Sequence, residues 1–339
     1  MILRLCVATI SLAVCLPSIA GDSSPAYNFL NITSSAHVYG LGGVNISTVE
    51  EDVSLVDQNP ALIGPEIDMQ LGFNYMRYLG QSNFAGVKWG SRASDRSAYA
   101  VGLQYFGYGD IKSSDETGTV TGTFSPKDVY FFGAYSHDIT DRLRGGITLK
   151  YVYSAYEQYS AMALATDLGI NYYNDANDLS LSAVITNLGG QIKRFDKSYD
   201  RLPWDIRLGW TQQFGTFPVR WSITAWNLTK WNLPYYDMGD GTEPMKKKDS
   251  FMSNLMRHLV FGADIVPSSK FHISIGYNYK TRTDMSTYSR NFFSGIYLGA
   301  GLKVSMFTID LAYSQPHGGG STLMLNLSTN LYEFKKSRK

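Results

Sequence analysis

The sequence predicts an all-β fold, a transmembrane antiparallel β-barrel of about fourteen strands with an N-terminal plug segment. Three observations carry that prediction. Apolar and polar residues alternate at period two through most of the chain. Every long connection follows an odd-numbered segment. Tyr (24 residues) and Gly (32 residues) are abundant, while charged residues reach only 17%, below the roughly 25% of an ordinary soluble domain.

The alternation is the primary signal. Met69, Leu71, Phe73 and Tyr75 share one face, and Gln70, Gly72, Asn74 and Met76 the other. Successive strand side chains point to opposite sides, so this pattern makes one apolar face and one small or polar face. It recurs at Tyr99, Val101, Leu103 and Tyr105, and again at Phe271, Ile273, Ile275 and Tyr277. A sandwich would alternate as well. The charged residues between apolar ones, Arg144, Lys150, Asp205 and Arg207, need a wet or paired interior, which a barrel lumen supplies.

Such segments fall at 69–79, 83–91, 97–106, 127–137, 143–153, 161–173, 178–187, 204–214, 218–228, 257–266, 270–280, 294–303, 305–314 and 321–334. Most run roughly 10 residues, the length a tilted strand needs to cross a bilayer. The long connections, 107–126, 188–203, 229–256 and 281–293, all follow odd-numbered segments. Connections after even-numbered ones, such as 138–142 and 267–269, are short. Outer-membrane barrels have long outer loops and short periplasmic turns. The parity therefore puts every long loop outside and both termini in the periplasm. Trp89, Trp204, Trp210 and Trp221 read as girdle or lipid-facing residues.

The first segment reads as a signal peptide: Arg4, the apolar stretch Leu5 to Leu16, then Pro17, Ser18, Ile19 and Ala20 as a cleavage site. The mature chain is expected to begin near Gly21. Cys6 and Cys15 both lie inside this segment, which leaves the mature protein without disulfides, zinc-thiolate sites or a Cys nucleophile. No later apolar run reaches the ~18 residues of a spanning helix. A net charge of +1 with no basic patch speaks against nucleic acid as a partner. Residues 21–66 do not alternate. A barrel of about fourteen strands is too wide for its own side chains to fill, so 21–66 is the candidate periplasmic or plug segment. The barrel is placed at 67–334, ending on Tyr332 and Phe334, with 335–339 as a short basic tail.

Catalytic signatures are missing. His37, His137, His258, His272 and His317 form no HExxH or i,i+4 pair, so no metal site or other cofactor is expected. There is no Gly-x-Ser-x-Gly elbow. His137 and Asp138 read as a polar turn at the periplasmic rim. The chain is expected not to be an enzyme. The 229–256 loop is the candidate partner-facing element. Its Trp231, Tyr235 and Tyr236 are good contact anchors, and Lys246, Lys247 and Lys248 suit lipopolysaccharide phosphates or an acidic partner.

A family likeness rests on ordered motifs: Tyr27-Asn28-Phe29-Leu30-Asn31, Ser34-Ser35-Ala36, Gly40-Leu41-Gly42-Gly43 and Gln58-Asn59-Pro60-Ala61-Leu62, followed by the first strand. This order resembles the long-chain fatty-acid transporter superfamily of fourteen-stranded barrels, with Gly42, Gly43, Asn59, Pro60 and Ala61 as its motif residues. Thr117 to Ser125 and Leu202 to Gly209 resemble the PorV/PorQ branch of the type IX secretion system. That resemblance implies a non-enzymatic outer-membrane component holding a PorZ-like surface protein in the complex that attaches cargo to lipopolysaccharide. The wider superfamily implies an alternative, a transporter of hydrophobic small molecules. Inward faces rich in Gly, Ser, Thr, Asn and charge weigh against a greasy conduit.

Overall fold

A computed structural model of the chain describes residues 27–114, 119–197, 199–215, 217–233, 236–237, 246–247, 250–268, 270–284, 292–317 and 320–336. The expected signal peptide, residues 1–20, lies outside them.

Each alternating segment is a strand. In chain order they are β1 (Gln70–Arg77), β2 (Asn83–Ser94), β3 (Ser97–Gly107), β4 (Lys127–Asp138), β5 (Leu143–Tyr156), β6 (Tyr159–Asn174) and β7 (Leu179–Lys193). Then follow β8 (Asp205–Gln213), β9 (Val219–Ala225), β10 (Leu259–Ser268), β11 (Phe271–Asn278), β12 (Ile296–Val304), β13 (Phe307–His317) and β14 (Gly320–Asn330). Every strand pairs antiparallel with its chain neighbours, and β14 returns to β1, with Gln70 opposite Asn330 and Arg77 opposite Leu323. The sheet is a closed cylinder without edges, the only way a sheet can sit in lipid with all its backbone groups paired. Among the described residues, no helix is long and apolar enough to cross a membrane.

The period-two pattern sorts the faces. Phe73, Tyr75, Val101, Phe131, Leu149, Leu208 and Trp221 point outward and are exposed on the isolated chain. Gly72, Asn74, Lys88, Gln104, Lys150 and Arg207 point inward and are intermediate or buried. The outer belt is therefore apolar, matching lipid, and the charges face in. His137 is outward-facing and exposed, whereas Asp138 is held by Arg144 at 2.5 Å (Nε to Oδ1); the two do not form a pair.

The long connections are 108–126, 194–204, 226–258 and 279–295, all after odd strands, and the short ones after even strands lie at the opposite rim. The first long connection carries a two-stranded hairpin, Ile111–Ser114 paired with Val120–Phe124. β7 extends to Lys193 because Gly189, Gly190 and Gln191 still pair with β6 across a bulge. The last segment corrects the sequence reading. β14 stops at Asn330, and Tyr332 and Phe334 fall in a short helix, Leu331–Lys336. The cause lies at the turn. Asn330 caps it, its Oδ1 accepting from the Tyr332 N–H at 2.9 Å and its Nδ2 donating to the Asp68 carbonyl at 3.0 Å.

Residues 27–67 lie inside the cylinder. They touch inward residues around the whole circumference, including Gly72 and Gly90, Gly146, Gly169, Gly209, Gly262, Gly276 and Gly299. This inserted segment is built of short turns: α1 (Ala36–Gly40), capped by the Ser35 side chain on the Val38 N–H, and 3-10 turns at Asn28–Asn31, Val53–Asp57, Pro60–Leu62 and Pro65–Ile67. It packs by bringing its backbone against wall glycines. A Cβ at Gly276 would lie 2.1 Å from the Gly42 nitrogen, so only glycine admits the chain there. On the β2–β4 side the inward face is not polar as expected. Phe84, Phe106, Tyr130 and Phe132 are buried around Phe29, whose ring centroid is 6.1 Å from that of Tyr130.

Candidate functional site

The motif residues of the sequence reading all sit at the contact between inserted segment and wall. Asn59 caps the Pro60–Leu62 turn: its Oδ1 accepts from the Ala61 N–H at 2.9 Å, and its Nδ2 donates to the Ile46 carbonyl at 3.0 Å. Proline at the first position needs no N–H partner and presets the turn. The turn then lodges over Gly146 and Gly169 of β5 and β6, where side chains would collide with Pro60, Ala61 and Asn59. Gly42 and Gly43 end α1 with φ of 106° and 84°, a backbone shape that glycine adopts without strain. Their turn lets Gly43 N–H reach the Val38 carbonyl at 3.1 Å and lets Asn278 of β11 donate to the Gly42 carbonyl at 3.2 Å.

Charge then fixes the segment to the wall. Three of its carboxylates each meet a wall cation on a different strand: Glu50 with Arg220 of β9 at 2.5 Å, Asp57 with Lys88 of β2 at 3.0 Å, and Glu66 with Arg144 of β5 at 2.8 Å. The first pair belongs to a closed ring. His37 Nδ1 lies 2.7 Å from Glu50 Oε2 and its Nε2 2.9 Å from Asp264 Oδ1, while Arg220 also reaches Asp264 at 3.0 Å. Two cations thus alternate with two anions. Both ring nitrogens of His37 face carboxylates, and only the imidazolium donates from both. Burial opposes that charge, but Glu50 and Asp264 outweigh it and hold the His37 pKa well above 6.5. Burial also works against the Glu50 carboxylate, yet His37 and Arg220 keep it well below its ordinary range. His272 lies against His37 at 4.0 Å between ring centroids, with Asp310 3.7 Å beyond. Within the wall, Lys150 is matched by Asp167 at 2.6 Å and Asn187 at 3.0 Å. Sequence reasoning identified the need for a paired interior but not the partners. Among the described residues no cluster of His, Cys, Asp or Glu is arranged to hold a metal ion.

Above the inserted segment, at the long-loop rim, lies a cavity of about 570 Å³. Its floor is Asn28, Ile32, Thr33, Tyr39 and Gly43. Its sides come from the connections after odd strands, at Tyr78, Trp204, Trp226 and Lys280, and from Tyr297 at the start of β12. Trp204 stands just before β8, is exposed like Ile206 and Leu208 on the outward face, and also borders this cavity. Arg257 and Lys280 share Asp284 on its wall.

The 226–258 connection gives a mixed outcome. Trp231 is exposed, stacks on His258 at 4.8 Å between centroids, and neighbours Phe251 at 6.2 Å. Phe251 and Met252, on helix α2 (Phe251–Arg257), are the most exposed apolar residues described in this connection, at 69% and 61%; sequence reading missed them because they stand outside the aromatic run. Tyr236 pairs with Lys247 and Asp237 with Lys246 in a two-residue ladder. Tyr235 and Lys248 lie outside the described residues.

No protein-family model matches the chain, and no curated protein sequence matches it. Solved structures do. The Pseudomonas putida toluene transporter TodX is similar over 88% of this chain and 97% of its own, at 12% identity and a TM-score of 0.53. A TodX deltaS2S3 mutant, described as a monoaromatic hydrocarbon channel, is similar over 88% and 99%, at 12% identity and a TM-score of 0.55. CymD, also described as a monoaromatic hydrocarbon channel, is similar over 89% and 98%, at 11% identity and a TM-score of 0.51. This chain shares the closed fourteen-strand antiparallel barrel fold of these solved structures.

Proposed function

We propose that this chain is an outer-membrane barrel that takes up a small, largely hydrophobic molecule at its long-loop rim. The observation that carries the reading is the rim cavity, walled by Trp204, Trp226 and Tyr297 over the inserted segment, in a barrel that shares its fold with hydrocarbon channels. Its volume of about 570 Å³ falls in the ~300–1,000 Å³ of small-molecule sites. The chain is exported after loss of residues 1–20, with the short-turn rim and both termini in the periplasm. Passage beyond the cavity requires the ion pairs of the inserted segment to open. The test is calorimetric titration of the detergent-solubilised mature barrel with toluene and with an aliphatic alcohol. Saturable binding that Trp226→Ala weakens supports the reading, and absence of any binding to folded barrel defeats it.

A second reading is docking of a surface protein, the role implied by the resemblance to the type IX secretion branch. Two observations favour it. Trp231, Phe251 and Met252 are exposed on one long connection, and the inserted segment is tied to the wall at three ion pairs, as suits a fixed platform. In this reading a PorZ-like protein binds the long loops, and Lys246, Lys247 and Lys248 meet lipopolysaccharide phosphates. Deletion of 229–256 would then release the partner into the medium while the barrel stays in the membrane; a retained partner would count against docking.

A further inference from the structure

His258 sits where the 226–258 connection returns to the wall, directly after α2, and is 1% exposed. Both of its ring nitrogens meet backbone carbonyls. Nδ1 lies 2.9 Å from the Trp226 carbonyl oxygen, and Nε2 lies 2.8 Å from that of Trp231. A neutral imidazole has one N–H and one lone pair; only the imidazolium donates from both nitrogens. A neutral ring would therefore set a lone pair against a carbonyl oxygen at one of the two contacts. The Trp231 indole stacks on the imidazole at 4.8 Å between centroids and 8° between planes, and an indole face attracts a cation. The two carbonyls stand at the ends of one short turn. Within it Asn227 takes a φ of 56°, and the Lys230 N–H donates to the Asn227 carbonyl at 3.2 Å. His258 thus holds both ends of the 226–231 turn beside α2.

We propose that His258 is a proton-operated latch on the long-loop rim: the imidazolium clamps the 226–231 turn, and the neutral ring releases one end of it. Histidine changes charge between about pH 5 and 8, so the latch closes in mild acid and loosens as pH rises. Charged groups surround it on every side. On its own element, Arg257 donates to the Leu233 carbonyl and meets Asp284. From the 279–295 connection, Lys280 lies 5.9 Å from the Trp226 ring and is paired with Asp284. From the start of β8, Asp205 accepts the Asn227 N–H at 2.7 Å, and the turn itself carries Lys230. Arg257, Lys280 and Lys230 oppose a charge on the ring, whereas Asp205 and Asp284 favour it. Among the described residues neither ring nitrogen meets a carboxylate, so the carbonyl pair and the indole face hold the proton. Release would free the Trp226 ring, a wall of the rim cavity, and the exposed Trp231. The latch depends on neither reading of the function, because it acts on an element that both use.

Amide hydrogen exchange of the detergent-solubilised mature barrel separates the two states, with wild type compared against His258→Gln at about pH 5.5 and about pH 8. Comparing two proteins at one pH cancels the intrinsic pH dependence of exchange. Glutamine keeps an N–H donor and does not titrate. At about pH 5.5 the 227–233 amides should exchange about tenfold faster in the variant, the effect of one hydrogen bond. At about pH 8 the two proteins should agree within about twofold. The Ile111–Ser114 and Val120–Phe124 strands, on another long connection, should exchange alike in both proteins throughout. The same ratio at both pH values would mean that His258 only packs, and would overturn the latch. Equal exchange in mild acid would overturn it as well. Should the variant not fold, nitrogen NMR of the wild type decides. The imidazole in contact with an indole ring should carry two N–H groups at about pH 5.5 and one at about pH 8. An unchanged protonation state between those values defeats the proposal.

Discussion

His37 of the inserted segment and Asp264 of β10 meet at 2.9 Å, although 227 positions separate them in the chain. With Glu50 and Arg220 they close a ring of alternating charge that ties the segment to the wall. Neither side satisfies these charges alone. An emptied barrel would leave Asp264 facing Arg220 without His37, and a free segment would leave His37 and Glu50 to water.

The first prediction concerns that tie. Removing one partner of a buried ion pair costs about 3–5 kcal/mol, because the other charge stays behind unpaired. Asp264→Leu should therefore loosen residues 27–67 and expose them to protease in the folded barrel. A variant whose segment stays as protected as the wild type would show that the ring does not hold it.

The ring also sets a pH range. The pKa of His37 is raised in the folded state, so its contribution is complete below about 6.5 and is lost only as pH rises through that higher value. Glu50 has a lowered pKa, so its contribution is complete above about 4.5 and is lost as pH falls toward its lower folded value. Protease protection of the segment should stay level between about pH 4.5 and 6.5. It should fall in strong acid and again at alkaline pH. A maximum confined to either extreme would contradict this assignment of charges.

Close backbone packing gives a third prediction. A Cβ at Gly276 would meet the Gly42 nitrogen at 2.1 Å and the Leu41 carbonyl carbon at 2.2 Å. Backbone on both sides has little freedom to yield, and overpacking typically costs about 1–3 kcal/mol. Gly276→Ala should lower the urea midpoint of refolding in lipid, whereas Gly133→Ala, which meets nothing within 4 Å, should not. Equal behaviour of the two would remove the close approach as a constraint.

The outer belt supplies a fourth. Leu149 is 63% exposed on the outward face of β5, and its chain neighbours Thr148 and Lys150 are buried inside. Leu149→Arg should cost about 2–4 kcal/mol if the residue sits at the bilayer midplane, measured as the free energy of folding into vesicles. A neutral effect there would mean that this face does not contact lipid.

The wall pair Lys150 and Asp167 allows a fifth. Both side chains are buried, at 2.6 Å. Lys150→Met alone should destabilise the barrel by about 3–5 kcal/mol, and adding Asp167→Leu should recover most of that loss. Failure of the second change to rescue would point to the Asn187 contact with Asp167 (N–H to Oδ1, 2.7 Å) as the dominant partner.

The chain order alone determined the cylinder. Strand side chains alternate every residue, so Phe73 and Tyr75 against Gly72 and Asn74 state which face meets lipid without reference to any distant residue. Loop parity is equally local, since each connection is bounded by strands already identified. The end of β14 was not legible, because the Asn330 side chain that turns Tyr332 and Phe334 into a helix does so through Asp68. Nor was the role of each inward charge: Arg220 reads as one more polar residue until the fold sets Glu50 beside it. The cavity is the clearest case. Its floor comes from residues 28–44 and its walls from the ends of strands up to Pro316, a juxtaposition that exists only once the sheet has closed around the inserted segment. Period-two patterning is a property of neighbours in sequence, whereas ion pairing and cavity shape are properties of residues that only closure brings together.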